Sequence, residues 1–239
     1  MELLFAKPLS LLPPLDWLAL AFFFASWLAY ATFAKRGSAH RMSLLATTNL
    51  WRRRWMLQST YRENRIVDSA VLQSLSASPA FFASTSILVV GGLLATLGAT
   101  EKASDLVREL PFAVRTSLLV FDLKLGLLAA IFVHAFFRFT WSMRQFGFGA
   151  MLVGAAPEAG QFASDAQRAD FADRAGRVLA LAAESFNDGL RAYYMAFAAA
   201  AWFFSAWALM AATALVLFVL YQREFRSEVL ATLREALKD

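Results

Sequence analysis

The sequence predicts an all-α polytopic membrane protein, in which four transmembrane helices are joined by long amphipathic cytoplasmic helices and followed by a C-terminal amphipathic helix. Of its 239 residues, 59% are hydrophobic and the mean hydropathy is +0.51, which is more apolar surface than one soluble domain buries. A hydrocarbon core of about 30 Å requires about 20 helical residues per crossing. Four apolar stretches meet that length, at residues 15–34, 79–99, 118–143 and 192–220. Because no repeat or low-complexity segment divides the chain, residues 1–239 are interpreted as a single integral membrane domain.

The first stretch, residues 15–34, is interpreted as a retained membrane span. A removable signal would have a shorter apolar core and a basic leading flank, whereas this run has 20 residues and only Lys7 before it. A basic cluster follows the run at Lys35, Arg36 and Arg41. These flanks place the start of the span outside the cytoplasm and its end inside.

Residues 43–77 are predicted to form a cytoplasmic helical segment. Leu44, Trp51 and Trp55 recur at helical spacing, and a basic triplet at 52–54 lies between the two tryptophans. Tryptophans beside arginines are typical of a site for anionic lipid headgroups at the inner leaflet. They are equally typical of a positive-inside anchor with belt aromatics, so both interpretations stay open.

The second span is expected to begin at Pro79, with Ser78 as its N-cap, because proline suits the first turn of a helix. Gly91 and Gly92 each have another small residue four positions later, and this spacing lets helices approach closely in lipid. A series of alanines gives the fourth span a similar face. The pattern predicts a compact four-helix bundle, with a second copy of the chain as a candidate partner.

The third span, residues 118–143, contains four ionisable residues, which are Asp122, Lys124, His134 and Arg138. At about 100° per residue the three basic residues fall on one face, which we call the basic stripe, and Asp122 points to nearly the opposite side. Ionisable groups inside a membrane are costly and therefore suggest function. Of the stripe, only His134 lies deep in the span, where an imidazole can remain neutral.

The basic stripe has two interpretations. In the first, Lys124 and Arg138 snorkel towards the two membrane surfaces. Asp16 is then the expected partner of the first, and Glu184 or Asp188 of the second. In the second interpretation, the stripe lines a groove that binds an anion or a lipid headgroup.

A second cytoplasmic segment, residues 162–191, carries an apolar stripe with ion pairs on its wet side and is also predicted to be helical. Beyond the fourth span, an amphipathic pattern continues to the end of the chain. Eight Lys and Arg residues lie in 35–78 and five in 144–191, whereas the opposite side carries eight. We therefore expect a plasma membrane protein of the bacterial inner membrane with both termini outside the cytoplasm.

The sequence contains no motif for catalysis or cofactor binding. It has no cysteine and two histidines, which excludes disulfides, thiolate metal sites and iron–sulfur clusters. Gly-rich phosphate loops, nucleophile elbows and zinc-protease helices are also absent, which removes most enzyme classes. We expect no metal and no cofactor. The net charge of +5 lies mainly in the loops, where it predicts contact with membrane lipids, including anionic headgroups, rather than with a nucleic acid.

Several stretches taken together resemble a known family. They are Asn49-x-x-Arg52-x-x-Trp55-Met56, VLQSLSASPAFFASTSILVVGGLLA, FFRFTWSMRQF at the end of the third span, the turn VGAAPE, and FNDGLRAYYMAFAAAAWFFSAW. With this order of segments the chain resembles, from Leu15 to Tyr221, the domain of unknown function 599 family of small membrane proteins in bacteria and plants. The resemblance implies a four-span fold and supplies no agreed activity. The positions that match its pattern, expected at the cytoplasmic ends of the second and fourth spans, are Asn49, Arg52, Trp55, Asn187, Arg191 and Tyr194.

Two functions from different classes fit these observations. The first is a transport-related or channel-like oligomer, in which the basic stripe favours anions. The second is a non-transporting scaffold or accessory subunit that contacts anionic lipid at the inner leaflet. The continuity of the stripe favours the first. Flux in proteoliposomes that disappears on Lys124→Ala or His134→Ala would support transport. Helices that leave no continuous polar path, even between protomers, would support a scaffold.

Overall fold

The computed structural model describes residues 12–40, 43–108 and 117–237, and within these ranges the chain forms helices and no strand. The described α-helices are α1 (Pro14–His40), α2 (Leu44–Ser59), α3 (Ile66–Leu97), α4 (Thr100–Arg108), α5 (Leu118–Gly154), α6 (Asp165–Ala200), α7 (Ala206–Phe225) and α8 (Glu228–Glu235). Single 3-10 turns lie at Ala159–Gln161 and Ala201–Phe203. The predicted all-α class is therefore confirmed.

Four helical stretches are long and apolar enough to cross a bilayer, as the sequence predicts. They are Pro14–Ala34, Ile66–Leu97, Leu118–Gly154 and Ala206–Glu235. The third contains 37 residues, which corresponds to about 55 Å of helix and exceeds a hydrocarbon core of about 30 Å. The excess explains how one helix provides both a membrane span and a polar extension.

The second of these helices begins earlier than expected. The Asn64 side chain accepts a hydrogen bond from the Ile66 N–H at 2.9 Å, which satisfies a free donor of the first turn and starts α3 at that point. Pro79 consequently lies inside α3, and the prediction that it starts the helix is wrong. The reason is that the turn before Ile66, and not the proline, separates α2 from α3.

The fourth predicted span, residues 192–220, is interrupted in the structure. Helix α6 continues through residue 192 and ends at Ala200, a 3-10 turn follows, and α7 begins at Ala206. The Ser205 hydroxyl accepts a hydrogen bond from the Ala208 N–H at 3.0 Å and so caps the start of α7. The interruption contains neither glycine nor proline, so no breaker residue marks it in the sequence.

The chain divides into two compact units. The first takes residues up to Phe33 together with Ser86–His134 and Arg191–Leu220, and the second takes Ala34–Thr85, Ala135–Leu190 and Tyr221 onward. Parts of α1, α3, α5, α6 and α7 therefore belong to each. The sequence predicts one domain, because neither composition nor a linker marks this division.

Aromatic contacts and a few polar pairs organise the first unit. The ring of Phe132 packs edge-on against that of Tyr193, with 5.0 Å between ring centres. Ser86 and the Tyr193 hydroxyl form a hydrogen bond of 2.9 Å, and Thr100 donates to Asp122 at 2.7 Å. Asp122 is thus bonded close to the start of α4 and is separate from the basic stripe.

The second unit has a dense apolar core. Helices α2, α3, α5 and α6 contribute buried side chains to one cluster, which consists of Met56, Leu72, Phe146, Val153, Ala172, Ala175, Leu179 and Ala182. Helix α2 also packs against α8, where the Trp51 indole N–H donates to the Leu233 carbonyl at 3.2 Å. The Leu45 N–H donates to Glu224 at 3.1 Å, which ties α2 to the end of α7.

Glycines permit the closest helix contacts in the second unit. A Cβ added at Gly176 would lie 3.0 Å from the Arg53 Cα, so α6 and α2 cross there with almost no space between backbones. A Cβ at Gly189 would lie 2.5–2.8 Å from atoms of the Phe139 ring. That ring is fully buried and stacks on Phe82 with 5.3 Å between centres.

Gly189→Ala should destabilise the second unit, because the rigid Phe139 ring cannot move away from the added methyl group without losing its aromatic contacts. We expect a loss of about 1–3 kcal/mol in the free energy of unfolding, measured in detergent micelles. Gly147→Ala is the matched control, because Gly147 also lies within a helix and a Cβ there has nothing within 4 Å. The control should be neutral or gain up to about 1 kcal/mol from helix propensity. Equal stability of the two variants would contradict the close contact.

Candidate functional site

The first residue of the basic stripe, Lys124, is buried within a candidate membrane span and only 3% exposed. Its ammonium group donates to the Trp202 carbonyl oxygen at 2.8 Å and lies 5.2 Å from the centre of the Trp202 ring and 5.8 Å from that of Phe203. An ammonium group has three N–H donors. The Trp202 carbonyl is its one hydrogen-bond acceptor among the residues that the structure describes, so two donors remain for a further acceptor.

Asp16 completes this group through the same tryptophan. The Trp202 indole N–H donates to Asp16 Oδ1, and Asp16 attracts Lys124 electrostatically. Trp202 thus accepts a hydrogen bond from the lysine and donates one to the aspartate. We call Asp16, Lys124 and Trp202 the Lys124 cluster. The expected association of Lys124 with Asp16 is present as an electrostatic attraction, with the tryptophan bonded to both.

The Lys124 cluster lies at the interruption between α6 and α7. Trp202 is the central residue of the 3-10 turn Ala201–Phe203, and it is 2% exposed. In a bilayer every backbone polar group needs a protein partner, and irregular backbone is tolerated only where it is buried in protein or lines a cavity. Lys124 supplies such a partner to the carbonyl of this turn.

Arg138, the last residue of the stripe, belongs to the second unit and is ion-paired. Its guanidinium donates to Asp188 Oδ2 at 2.6 Å and approaches the Ser185 hydroxyl at 3.5 Å. Ser185 in turn donates to Gln145 at 2.7 Å, which extends a polar chain along facing sides of α5 and α6. The pair with Asp188 is one of the two partners that the sequence predicts, and it confirms that alternative.

His134 lies in the first unit beside an open apolar groove of about 520 Å³. Its imidazole meets the Trp27 ring edge-on, with 6.0 Å between ring centres. Helices α1 and α5 form the walls of this groove, which are lined by Phe24, Trp27, Leu28, Ala31, Leu127, Ala130, Ile131 and His134. The three stripe residues are therefore not brought together at one site: each has its own surroundings.

The family-pattern residues also divide between the two units. In the first unit, Arg191 is buried with its guanidinium carbon 5.8 Å from the centre of the Tyr30 ring, and Tyr194 is half-buried. In the second unit, Asn49 accepts a hydrogen bond from Arg52 at 2.7 Å, and Asn187 is half-buried. Of these residues, Asn49 and Arg52 are bonded to each other.

Trp55, expected at a lipid-headgroup site or in a positive-inside anchor, donates its indole N–H to Asp68 Oδ1 at 2.7 Å. Asp68 is fully buried and also pairs with Arg62. Its second carboxylate oxygen has no hydrogen-bond partner in the part of the chain that the structure describes. In the sequence, Asp68 is visible only as an acidic residue in the first turn of a helix. Acidic residues are common at that position, so the pattern does not single out Asp68.

Two arginines that the sequence indicates only as topology signals bind backbone carbonyl groups. Arg65 donates to the Ala156 carbonyl at 2.9 Å and to that of Pro157, and so holds the VGAAPE turn. Arg168 donates to the carbonyls of Thr60 and Ala159, both at 2.6 Å. Their partners are about 90 to 110 positions away or in an irregular turn, so helical periodicity does not predict these contacts.

A family model described as "Protein of unknown function, DUF599" matches residues 18–229. The chain belongs to this family. The membership predicted from the sequence is thereby confirmed. No curated protein and no solved structure matches the chain. Because the family description names no activity, a role for the Lys124 cluster has to be argued from its geometry.

No group of three His, Asp or Glu side chains suited to a metal ion occurs within the described ranges. The absence of a metal or cofactor remains a prediction of the sequence. What the Lys124 cluster offers chemically is a buried cation with spare hydrogen-bond donors, a nearby carboxylate and an indole that contacts both.

Trp55→Phe should destabilise the protein more than Trp51→Phe. The first change removes a donor from a fully buried carboxylate that already has one unbonded oxygen, which costs about 1.5–3 kcal/mol. The second removes a bond of 3.2 Å to a neutral, partly buried carbonyl, worth about 0.5–1.5 kcal/mol. Chemical denaturation of both variants in the same detergent measures the difference. The reverse order would mean that Trp55 acts through lipid and not through Asp68.

Proposed function

We propose that this protein is a transport-related membrane protein, active as a channel-like oligomer, and that the Lys124 cluster is its site for a small anion. The observation that carries the proposal is a lysine within a candidate membrane span, only 3% exposed, that contacts the backbone of the turn between α6 and α7. The basic residue supplies the charge that attracts an anion, and the interruption supplies backbone groups at the same place.

The physical argument begins with the cost of the charge. Ionisable residues in membrane spans are costly and commonly mark substrate or ion pathways, and Lys124 lies about 9 Å along its span from Leu118. Interrupted helices serve the same purpose in many transporters, because the N-terminal ends of the broken helices point at anionic substrate groups, and α7 begins at Ala206 directly after the turn. Finding both features in three contacting residues supports a binding site more strongly than either feature alone.

The chemistry of the cluster favours an anion. Lys124 has two N–H donors available for an acceptor, and Asp16 balances its charge when the site is empty of substrate. An incoming anion would take hydrogen bonds from the ammonium group, while the Trp202 indole keeps Asp16 oriented. The nearby Asp16 carboxylate repels a bound anion, so the site holds an anion weakly enough to release it.

Lys124→Gln should abolish anion flux, because glutamine keeps hydrogen-bonding groups but removes the charge. We expect at least a tenfold fall in chloride or phosphate uptake by proteoliposomes. Lys102→Gln is the matched control, because Lys102 is exposed on α4 and lies outside the cluster. Uptake by the control should equal that of the unaltered protein. Unaltered protein that carries no anion above empty liposomes, or a folded Lys124→Gln variant with full uptake, would overturn the proposal.

A second candidate function, a non-transporting scaffold or accessory subunit at the inner leaflet, is favoured by one observation. Arg138 is already neutralised by Asp188, and the indoles of Trp51 and Trp55 are bonded within the second unit. These side chains therefore serve the fold. A scaffold or accessory subunit would carry no anion into proteoliposomes, whether Lys124 is present or replaced.

The proposal includes self-association and a place in the cell. Helix α3 is the candidate surface for contact with a second copy of the chain. Only 11% of its most apolar 18-residue stretch is buried, and a Cβ added at Gly91 or Gly92 would have nothing within 4 Å. The distribution of Lys and Arg supports the bacterial plasma membrane, with both termini outside the cytoplasm and membrane lipids as neighbours.

Single cysteines can test this orientation, because the natural chain contains none. Glu101→Cys and Glu63→Cys replace exposed residues, the first in α4 and the second between α2 and α3. In intact spheroplasts a membrane-impermeant maleimide should label the Glu101 variant and leave the Glu63 variant unmodified until the membrane is opened. The opposite labelling pattern would invert the proposed topology.

A further inference from the structure

Arg52 is held by one end of its guanidinium. The Nη1 atom donates to Asn49 Oδ1 at 2.7 Å and to Thr48 Oγ1 at 3.0 Å. Both acceptors lie on the preceding turn of α2, three and four positions away, so the helix itself fixes the direction of the guanidinium plane. The side chain is therefore oriented before any ligand arrives.

The opposite edge of this guanidinium is available. Nε and Nη2 make no hydrogen bond with any residue that the structure describes, and neither is among the fully buried polar atoms that lack a partner. These two donors are therefore not fully buried. They point in parallel, which is the arrangement that pairs with two oxygens of a carboxylate or phosphate.

The charge of Arg52 is not balanced by an acidic side chain in the described chain. Its bonded partners, Thr48 and Asn49, are neutral. Burial lowers the pKa of Arg52 to about 10, with no acidic neighbour to raise it, and the group stays protonated at neutral pH. A partly buried cation without a counterion is costly, which favours an anion that supplies one.

The neighbouring arginines differ in this respect. Arg53 forms an ion pair with Asp173 on α6, and Arg54 lies 5.4 Å from the centre of the Trp51 ring with a long contact to the Ala236 carbonyl. Of the basic triplet, Arg52 alone combines a fixed orientation with a vacant pair of parallel donors among the described residues. The positive neighbours still add to the local potential, which suits a phosphate group better than a singly charged carboxylate.

We propose that the Nε and Nη2 edge of Arg52 is a binding site for a phosphate group, which is carried by an anionic lipid or is present as free phosphate. Asn49 acts as the residue that positions the guanidinium. This site lies in the second unit and uses none of the residues of the Lys124 cluster, so it does not depend on the proposed transport function.

The test compares two sources of phosphate with the full-length protein in nanodiscs. In phosphatidylcholine nanodiscs, inorganic phosphate is titrated and binding is measured by calorimetry. In a second arm, native mass spectrometry measures the retention of phosphatidylglycerol from mixed nanodiscs. Binding in the first arm identifies free phosphate, and retention in the second alone identifies a lipid headgroup.

Arg52→Lys keeps the charge and removes the parallel donors. It should therefore weaken binding at least tenfold in whichever arm shows binding. Arg54→Lys is the matched control from the same triplet and should stay within twofold of the unaltered protein. Asn49→Ala keeps every charge and removes the shorter of the two hydrogen bonds that hold Nη1, so it should weaken binding severalfold at an unchanged melting temperature. If Arg52→Lys does not fold, the Asn49→Ala variant tests the proposed Arg52 site in its place.

Three results would overturn the assignment. One is unaltered protein that binds in neither arm. Another is equal weakening by Arg52→Lys and Arg54→Lys, which would indicate diffuse charge and no built site. The last is an Asn49→Ala variant with full affinity, because the positioning role would then be absent.

Discussion

The hydrogen bond from Lys124 to the Trp202 carbonyl is the contact on which the polar organisation of the first unit depends. A charged ammonium and an irregular carbonyl are each unfavourable in hydrocarbon, and here each satisfies the other. Asp16 joins through the Trp202 indole, so α1, α5 and the turn after α6 meet in one group of three side chains. Removing any one of them would leave a buried polar group without its partner.

The second unit depends on the same requirement, but arginines meet it by donating to carbonyl groups. Arg65 and Arg168 bind carbonyls in the turns before α3 and α6, and Trp51 binds one at the end of α8. A guanidinium can serve two or three acceptors at once, which suits irregular segments where several carbonyls lack helical partners. Basic residues that appear in a topology count thus also hold the fold.

The basic stripe shows why direction on a helix does not by itself define a site. Lys124 and Arg138 lie on one face of α5, yet the first contacts a backbone carbonyl and the second an aspartate. A helix longer than the hydrocarbon core passes through different surroundings, so residues on one face meet different partners. The transport and scaffold functions consequently rest on different members of the stripe, Lys124 for the first and Arg138 for the second.

Sequence alone determined the helical class, the four apolar stretches and the pairing of Arg138 with an acid of α6, because hydrophobic length and helical periodicity are local properties. Tertiary structure alone decided the interruption at Trp202, the burial of Asp68 and the vacant edge of Arg52. Each of these features depends on whether segments far apart in the chain contact each other. No breaker residue or residue spacing in the sequence predicts them. A lysine on α5 can bond to the carbonyl of Trp202 only after both segments have packed, so the sequence singles out Lys124 but not the group that it binds.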